Sequence, residues 1–112
     1  HSFVNPAIDK VDESLLKDKE ALFEPIKDNM SQQGYSQWKI CLYEHFNRTN
    51  EVIIARLIGD NKKAEKILQE NVKNKSFIYL PQIVEKLEYW YNNEFLDKTY
   101  DQKVSDIIAE LK

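Results

Sequence analysis

The sequence predicts an all-α protein, a single compact bundle of five or six helices with a central apolar helix near residues 36–58. Three observations predict this class. Glycine and proline are scarce, at 2 and 3 residues of 112, so the chain has little material for hairpin turns. Apolar residues recur at helical spacing, and no alternating strand pattern is found outside the short run 77–80. The length and the 42% hydrophobic content fit one domain, residues 1–112.

The first two helices are predicted from a cap, a proline and a glycine. Asn5-Pro6 combines an N-cap residue with proline at the first helical position, and apolar residues follow at helical spacing: Ile8, Val11, Leu15 and Leu22. Pro25 is expected to end or kink this helix, because proline lacks an amide donor and its ring strikes the preceding turn. A short second helix then runs to Gln33, and Gly34 closes it.

The third helix is predicted to follow Ser36 as its N-cap and to lie at the centre of the bundle. Its main apolar stripe contains Tyr35, Trp38, Leu42, Phe46, Thr49, Ile53 and Leu57. A second apolar strip contains Ile40, Tyr43, Ile54 and Ile58. A helix that is apolar on two sides is normally covered on both sides. We therefore expect the other helices to surround this one.

Three further helices are predicted in the second half of the chain. Gly59-Asp60 breaks the chain, and a one-sided fourth helix carries Ala64, Ile67, Leu68 and Val72. Pro81 opens a fifth helix that runs toward Asp97. Residues 99–102 match a capping box, and the last helix carries Val104, Ile107, Ile108 and Leu111 at helical spacing.

The run LEYWYNNEF, residues 87–95, places four aromatic rings in nine positions. Helical spacing places most apolar residues of this helix within about 60° of Leu87, as a core stripe: Leu80, Ile83, Val84, Trp90 and Tyr91. Tyr89 lies about 200° from Leu87, with Leu96 beside it. These two residues are either simply exposed or part of a partner-binding surface, in which tyrosine is enriched. Phe95 lies on the margin of the core stripe. Glu94 falls on the core face, where it is expected at a helix end or paired with Arg56, with a polar group inside a ligand cavity as the alternative.

The charge pattern argues against nucleic acid as a partner. The formal net charge is -3, and the densest basic group, Lys62, Lys63 and Lys66, is interrupted by Glu65. Nucleic-acid binders usually concentrate their basic residues on one face, because neutralising phosphates supplies much of the affinity. No apolar run reaches the roughly 18 to 20 residues that a membrane span requires.

The sequence lacks a recognisable catalytic or metal-binding constellation. Cys41 and His45 are four residues apart and share a helix face, a spacing that suits a thiolate–imidazole pair or half of a zinc site. No second pair is present, because the only other histidine is His1 and Cys41 is the only cysteine. We therefore expect both residues to be structural, with no catalytic residue, metal or cofactor.

Three Asn-X-Ser/Thr sequences favour a secreted protein. Asn29, Asn47 and Asn74 each begin such an acceptor for N-glycosylation, whereas random placement predicts roughly 0.6 of them. The single cysteine is more typical of an intracellular protein, so a cytoplasmic location is the alternative. His1 is either a residue left by cloning or the amino terminus produced by signal-peptide removal.

Three functions remain open from the sequence. The first is a non-enzymatic secreted helical protein that binds a protein partner through Tyr89 and Leu96. The second is a carrier of a small apolar ligand, in a cavity between helices lined by Trp38, Phe46, Trp90 and Tyr91. The third is an intracellular helical adaptor or an immunity-type protein. A closed core would favour a partner-binding protein, and an apolar cavity of about 300 Å³ or more would favour a carrier.

Overall fold

In the computed structural model, residues 4–112 are described and form seven α-helices, one 3-10 segment and one π turn. The helices are α1 (Val4–Asp9), α2 (Glu13–Asp18), α3 (Lys27–Gln32), α4 (Trp38–Leu57), α5 (Asn61–Asn74), α6 (Leu80–Tyr89) and α7 (Tyr100–Glu110). The 3-10 segment is Glu20–Ile26, and the π turn is Trp90–Glu94. No β-strand occurs among residues 4–112, so the all-α prediction is confirmed. His1, whose origin the sequence leaves open, lies outside the described residues.

Helix α4 is the element that the other helices pack against. α1, α5 and α6 all contact it, and α7 packs on α1 and α6. The side chains of Leu42, Phe46 and Val52 have no exposed surface. Removing apolar surface from water is the main favourable term in folding. The central position expected for this helix is confirmed.

The carboxyl-terminal end of α4 is not surrounded as predicted. Leu57 of the main stripe and Ile54 and Ile58 of the second strip are all exposed. Val52, Ile53 and Ala55 on the same turns are buried, and Arg56 pairs with Glu88 near the end of α6. The neighbouring helices therefore reach this end of α4 but cover only one side of it. The periodicity therefore predicts the buried face correctly as far as Ile53 and fails beyond it.

The predicted first helix is divided at Asp12. Helix α1 ends at Asp9, and the Asp12 carboxylate accepts a hydrogen bond of 2.9 Å from the Ser14 amide, so that α2 begins again at Glu13. Aspartate is a preferred N-cap residue, and this local signal prevails over the continuous apolar spacing. Pro25 lies inside the 3-10 segment, so the change at this proline is one of helix type. The helix count is seven rather than five or six because of such divisions.

Two glycines end helices in the left-handed conformation. Gly34 has a φ of 91° and Gly59 a φ of 84°, a region in which residues with a side chain are strained. The amide that follows each glycine donates to the carbonyl five residues earlier, at 2.8 Å in both cases. This pattern satisfies carbonyl groups that a helix end leaves free. The predicted roles of Gly34 and of the Gly59-Asp60 break are confirmed.

The start of α4 differs from the prediction. Gln37, in an extended conformation, precedes the helix, and no side chain caps its amide groups. The predicted cap, Ser36, lies one residue too early, because α4 begins at Trp38. Three residues outside any helix, Tyr35, Ser36 and Gln37, separate Gly34 from α4. The cap preference of serine does not decide where this helix begins.

The predicted fifth helix is interrupted by the π turn. α6 ends at Tyr89, and the Trp90 indole donates a hydrogen bond of 2.9 Å to the Lys98 carbonyl after the turn. A π turn departs from the 100° spacing of an α-helix, so residues beyond it leave the predicted phase. Phe95, expected at the margin of the core, is exposed for this reason.

Glu94 pairs with a different helix from the one expected. Its carboxylate lies 3.4 Å from the Lys103 ammonium of α7 and 3.5 Å from that of Lys98. The expected partner, Arg56, instead pairs with Glu88 on α6. The π turn places Glu94 beside α7, which the linear spacing of an α-helix does not predict.

The last helix agrees with its prediction in detail. Thr99 and Gln102 form the predicted capping box, each side chain accepting from the backbone amide of the other residue. All four predicted core residues are buried: Val104, Ile107, Ile108 and Leu111. The capping box and the helical spacing of the apolar residues predict the same helix here, and the tertiary packing buries the face that they predict.

We predict that the two neighbouring rings of α6 and the π turn differ sharply in their effect on stability. Trp90 is 4% exposed and Tyr89 is 56% exposed. Trp90→Ala should lower the free energy of unfolding by about 3 to 5 kcal/mol, the range for deleting a large buried aromatic side chain. Tyr89→Ala should change it by about 0.5 kcal/mol or less, because no cavity is left. Equal losses in urea-unfolding curves would contradict the assigned packing.

Candidate functional site

The candidate site is an exposed apolar surface at the carboxyl-terminal end of α4. It consists of four large side chains, which we call the apolar face: Ile54, Leu57, Ile58 and Phe95. Their exposed fractions range from 55% for Phe95 to 74% for Leu57. Single exposed apolar residues are ordinary, but a group of them marks a site of interaction.

The members of the apolar face form one continuous surface. Ile54, Leu57 and Ile58 are three and four residues apart on α4, which makes them neighbours on one helix side. Leu57 and Tyr91 line the same cleft of about 220 Å³. The Tyr91 and Phe95 rings are stacked, with centroids 6.2 Å apart. The surface therefore extends from α4 across the cleft to the segment after the π turn.

Contacts beneath the apolar face hold it in place. Arg56 of α4 forms an ion pair with Glu88 of α6, and both side chains are half-buried. The buried Trp90 ring packs against Phe95 with centroids 5.3 Å apart. A surface that is already ordered loses less conformational entropy when it binds. The Arg56–Glu88 ion pair and the Trp90–Phe95 ring contact thus support the backbone segments that carry the apolar face.

The two predicted partner-binding residues are both exposed. Leu96 is 94% exposed and follows Phe95 directly in the chain. Tyr89 lines a separate cleft with Lys86 and Asn92. Asn92 also lines the cleft of the apolar face, so the two concave regions adjoin. Their role in binding remains a prediction.

The four predicted ligand-lining residues do not come together. The Trp38 ring packs between Phe23 and Tyr79. Trp90 packs on Tyr100, whose hydroxyl lies 3.5 Å from the Asn50 amide of α4. Trp38 and Asn50 are separated by about 18 Å of helix at 1.5 Å per residue. Phe46 is buried and Tyr91 is half-buried, and no single small ligand could contact all four.

A cleft beside α2 and the start of α4 is open and bordered by charges. It measures about 640 Å³, and Leu16, Phe23 and Trp38 contribute apolar surface to it. Six charged side chains of both signs also line it: Glu13, Lys17, Glu20, Glu24, Lys27 and Lys39. A cavity for an apolar ligand normally encloses most of that ligand in apolar surface. This cleft is not enclosed in that way.

Cys41 and His45 do come together, but inside the core. Both are fully buried, and the Sγ atom lies 3.5 Å from Nδ1 of the imidazole. Nδ1 also lies 2.9 Å from the Cys41 carbonyl oxygen. A carbonyl only accepts, so Nδ1 donates to it and carries the ring proton. Nε2 is then a bare acceptor, buried without a hydrogen-bond partner.

Burial keeps both groups of this pair neutral. Loss of solvation raises the pKa of the Cys41 thiol to about 12. Loss of solvation also lowers the pKa of His45 to about 4, although its bond to the Cys41 carbonyl opposes the shift and the nearby Arg48 charge adds to it. A reactive cysteine needs an accessible thiolate. The pair has the geometry of a structural contact.

The acidic residue nearest to this pair is neutralised by an arginine. The Glu44 carboxylate lies 2.6 Å from the Arg48 guanidinium. Arg48 also donates to the Asn71 side-chain oxygen at 2.9 Å and covers the Phe77 ring at 4.2 Å. A general acid must reach its substrate, and here the carboxylate is engaged by Arg48. This cluster fixes the segment that follows α5 against α4.

The three predicted glycosylation sites occupy different environments. Asn29 and Asn74 are exposed. Asn47 is only 7% exposed within α4, and Thr49, the acceptor's third residue, is fully buried and donates to the His45 carbonyl. A glycan is bulky and requires a surface position. Asn47 is therefore excluded as an acceptor in this fold.

Neither a metal site nor a membrane-spanning helix is present in residues 4–112. No three His, Cys, Asp or Glu side chains of this range are grouped as metal ligands would be. None of the helices described here has both the length and the apolar character that crossing a bilayer requires.

These features define a class: a small all-α bundle with its core packed around α4 and an exposed apolar face. Within this class, the chain belongs to the family described as "Domain of unknown function (DUF4932)", whose model matches residues 1–109. No curated protein matches the chain, and no solved structure does. The apolar face was missed from the sequence, because its members share the apolar spacing of the buried stripes.

We predict that His45 makes the protein less stable in mild acid. Its pKa is about 4 in the folded protein and 6.5 when unperturbed. Below about pH 6.5 the unfolded chain gains a proton that the folded protein does not, so the free energy of unfolding falls by up to about 3 kcal/mol between pH 6.5 and 4. The variant His45→Phe lacks this titrating group and keeps an aromatic ring against Phe77 and Tyr79.

The groups that face His45 do not titrate in this range. They are the Cys41 thiol, the Tyr79 phenol and the Arg48 guanidinium. Urea unfolding of both proteins from pH 7 to pH 4 isolates the histidine, because the carboxylates contribute equally to both. Parallel pH profiles for the wild type and His45→Phe would contradict the prediction.

Proposed function

We propose that the protein is a non-enzymatic helical module that binds a protein partner through the apolar face. The observation that carries this proposal is the exposure of Ile54, Leu57, Ile58 and Phe95 as one continuous surface over an ordered cleft. Binding would remove these side chains from water, and each Å² of apolar surface buried contributes about 25 cal/mol before the costs of association.

The shape of the surface supports a protein partner over a small apolar ligand. The cleft at the apolar face is about 220 Å³, below the roughly 300 to 1,000 Å³ of small-molecule sites. It is large enough to take one anchoring side chain. Protein interfaces often place one apolar or aromatic anchor in such a pocket at their centre.

The state of the buried polar groups supports a role without catalysis. Cys41 and His45 are neutral and enclosed, and Glu44 is paired with Arg48. Catalytic acids, bases and nucleophiles must reach their substrate. A binding role uses instead groups that reach solvent, and the apolar side chains at the end of α4 are among them.

Partner capture tests this proposal. Leu57→Ser should change the free energy of unfolding by about 0.5 kcal/mol or less, since Leu57 is exposed. The variant should no longer capture the protein that cross-links to the wild type in extracts of its native cells. Ile78→Ser is the matched control, because Ile78 is an exposed isoleucine outside the apolar face. Quantitative mass spectrometry compares the three proteins. Equal capture by Leu57→Ser and the wild type would exclude this face.

We also propose that the protein is secreted, with an intracellular adaptor or immunity-type protein as the alternative. Support comes from the exposed acceptor sites at Asn29 and Asn74. Asn74 is the last residue of α5, beside the link to α6. The ends of helices and the links between them are accessible to a modifying enzyme. Both locations are compatible with the same apolar face.

Expression in a secretory eukaryotic host tests the location. We expect a glycan on Asn74, so that N-glycosidase treatment lowers the apparent mass of the wild type and Asn74→Gln loses one increment. Asn47→Gln should lose none, because Asn47 is buried. The absence of any mass shift in the wild type would leave the intracellular alternative.

A further inference from the structure

We propose that the partner of the apolar face is a basic amphipathic helix, with apolar anchors on one side and lysine or arginine along its flanks. This inference rests on the proposed function and adds the chemistry of the partner. It is carried by the distribution of charge around the face, which differs from that of the remaining chain.

The two segments that form the apolar face contain the entire excess of negative charge. Residues 50–60 and 88–98 together contain five acidic residues, Glu51, Asp60, Glu88, Glu94 and Asp97, and two basic ones, Arg56 and Lys98. The other 90 residues contain the remaining 14 acidic and 14 basic residues of the totals of 19 and 16. The formal charge of -3 is thus concentrated at this site, and the rest of the chain is balanced.

The basic residues of these segments are already neutralised within the fold. Arg56 is paired with Glu88 and also lies 3.6 Å from Glu65. Lys98 lies 2.8 Å from Asp106 and 3.5 Å from Glu94. Neither cation is free to attract an acidic partner.

Two acids at the edge of the apolar face have no such counter-charge. Glu51 is one helical turn before Ile54 on the same side of α4, and Asp97 is two residues after Phe95. Both are exposed, and no basic side chain among the described residues lies within ion-pair distance of either. Uncompensated charges beside an apolar surface select a partner of opposite charge.

An amphipathic helix fits the form of this surface. The exposed side chains follow one side of α4, and the cleft between α4 and the π turn runs beside them. Helices that bind such grooves present anchors at positions i, i+3, i+4 and i+7. A basic flank would then meet Glu51 at one edge and Asp97 at the other.

The same charges disfavour other occupants. Anionic lipid surfaces and nucleic acids attract basic proteins, and this face is acidic. A second copy of the chain in a two-fold dimer would bring two negative faces together. Each of these occupants is nevertheless an outcome of the experiment.

The probe is a synthetic peptide of leucine and lysine with helical apolar spacing, roughly 18 residues or five turns long. One control peptide has glutamate in place of lysine, and the other has the same composition in scrambled order. Fluorescence anisotropy measures each Kd at two salt concentrations. We expect binding of the leucine–lysine peptide only, weakened by salt because exposed charges are screened.

Charge variants test the role of the acidic edge. The double variant Glu51→Gln, Asp97→Asn should weaken binding of the leucine–lysine peptide about 5-fold, the effect of losing two exposed ion pairs. The matched double variant Glu24→Gln, Glu70→Gln removes two exposed acids elsewhere and should bind like the wild type. Leu57→Ser should abolish binding of the peptide.

The outcomes separate this inference from the proposed function. Equal affinity for the leucine–glutamate peptide, or no effect of the Glu51 and Asp97 variant, would overturn the inference even if Leu57→Ser still lost its cellular partner. Retention of the cellular partner by Leu57→Ser would instead refute the proposed function. Wild-type binding to phosphatidylserine vesicles, or a dimer in sedimentation that Leu57→Ser dissociates, would also overturn the inference.

Discussion

The packing of neighbouring helices on α4 is the constraint on which the rest of the structure depends. α1, α5 and α6 cover this helix over most of its length, and Leu42, Phe46 and Val52 lie fully inside the resulting core. At the carboxyl-terminal end of α4 this cover is one-sided: Val52, Ile53 and Ala55 are buried, whereas Ile54, Leu57 and Ile58 are exposed. The α4 part of the apolar face exists because no described helix covers this second side.

Buried polar groups on α4 determine how the chain returns from α5 to α6. Arg48 bonds Asn71 and covers Phe77, while the His45 ring lies 4.7 Å from Phe77 and 5.7 Å from Tyr79. Buried polar groups are tolerated when they are hydrogen-bonded, and the unpartnered Nε2 of His45 and Nε1 of Trp38 are exceptions on this helix. The residues that resemble a catalytic pair thus serve to attach this link to the core.

The apolar face combines two properties that would contribute differently to the proposed binding. Its large side chains, such as Leu57 and Phe95, would supply apolar area and hence affinity. The acids at its edge, such as Glu51 and Asp97, would influence which partner approaches and in what orientation. Arg56 and Lys98 are already engaged by acids of the fold. Membership of the DUF4932 family gives this chain relatives in which the same surface can be compared.

Local signals in the sequence determined the helical class, the left-handed ends at Gly34 and Gly59, and the capped final helix, because caps, glycines and apolar spacing act within a few residues. The exposed position of Tyr89 followed from the same spacing. Only the tertiary structure decided that Leu57 reaches solvent and that Phe95 leaves the core, since these depend on which side of α4 the neighbouring helices cover and on a π turn. The separation of Trp38 from Trp90 depended likewise on which rings pack together. An apolar residue has the same spacing whether a neighbour covers it or not, so the apolar face could be recognised only in three dimensions.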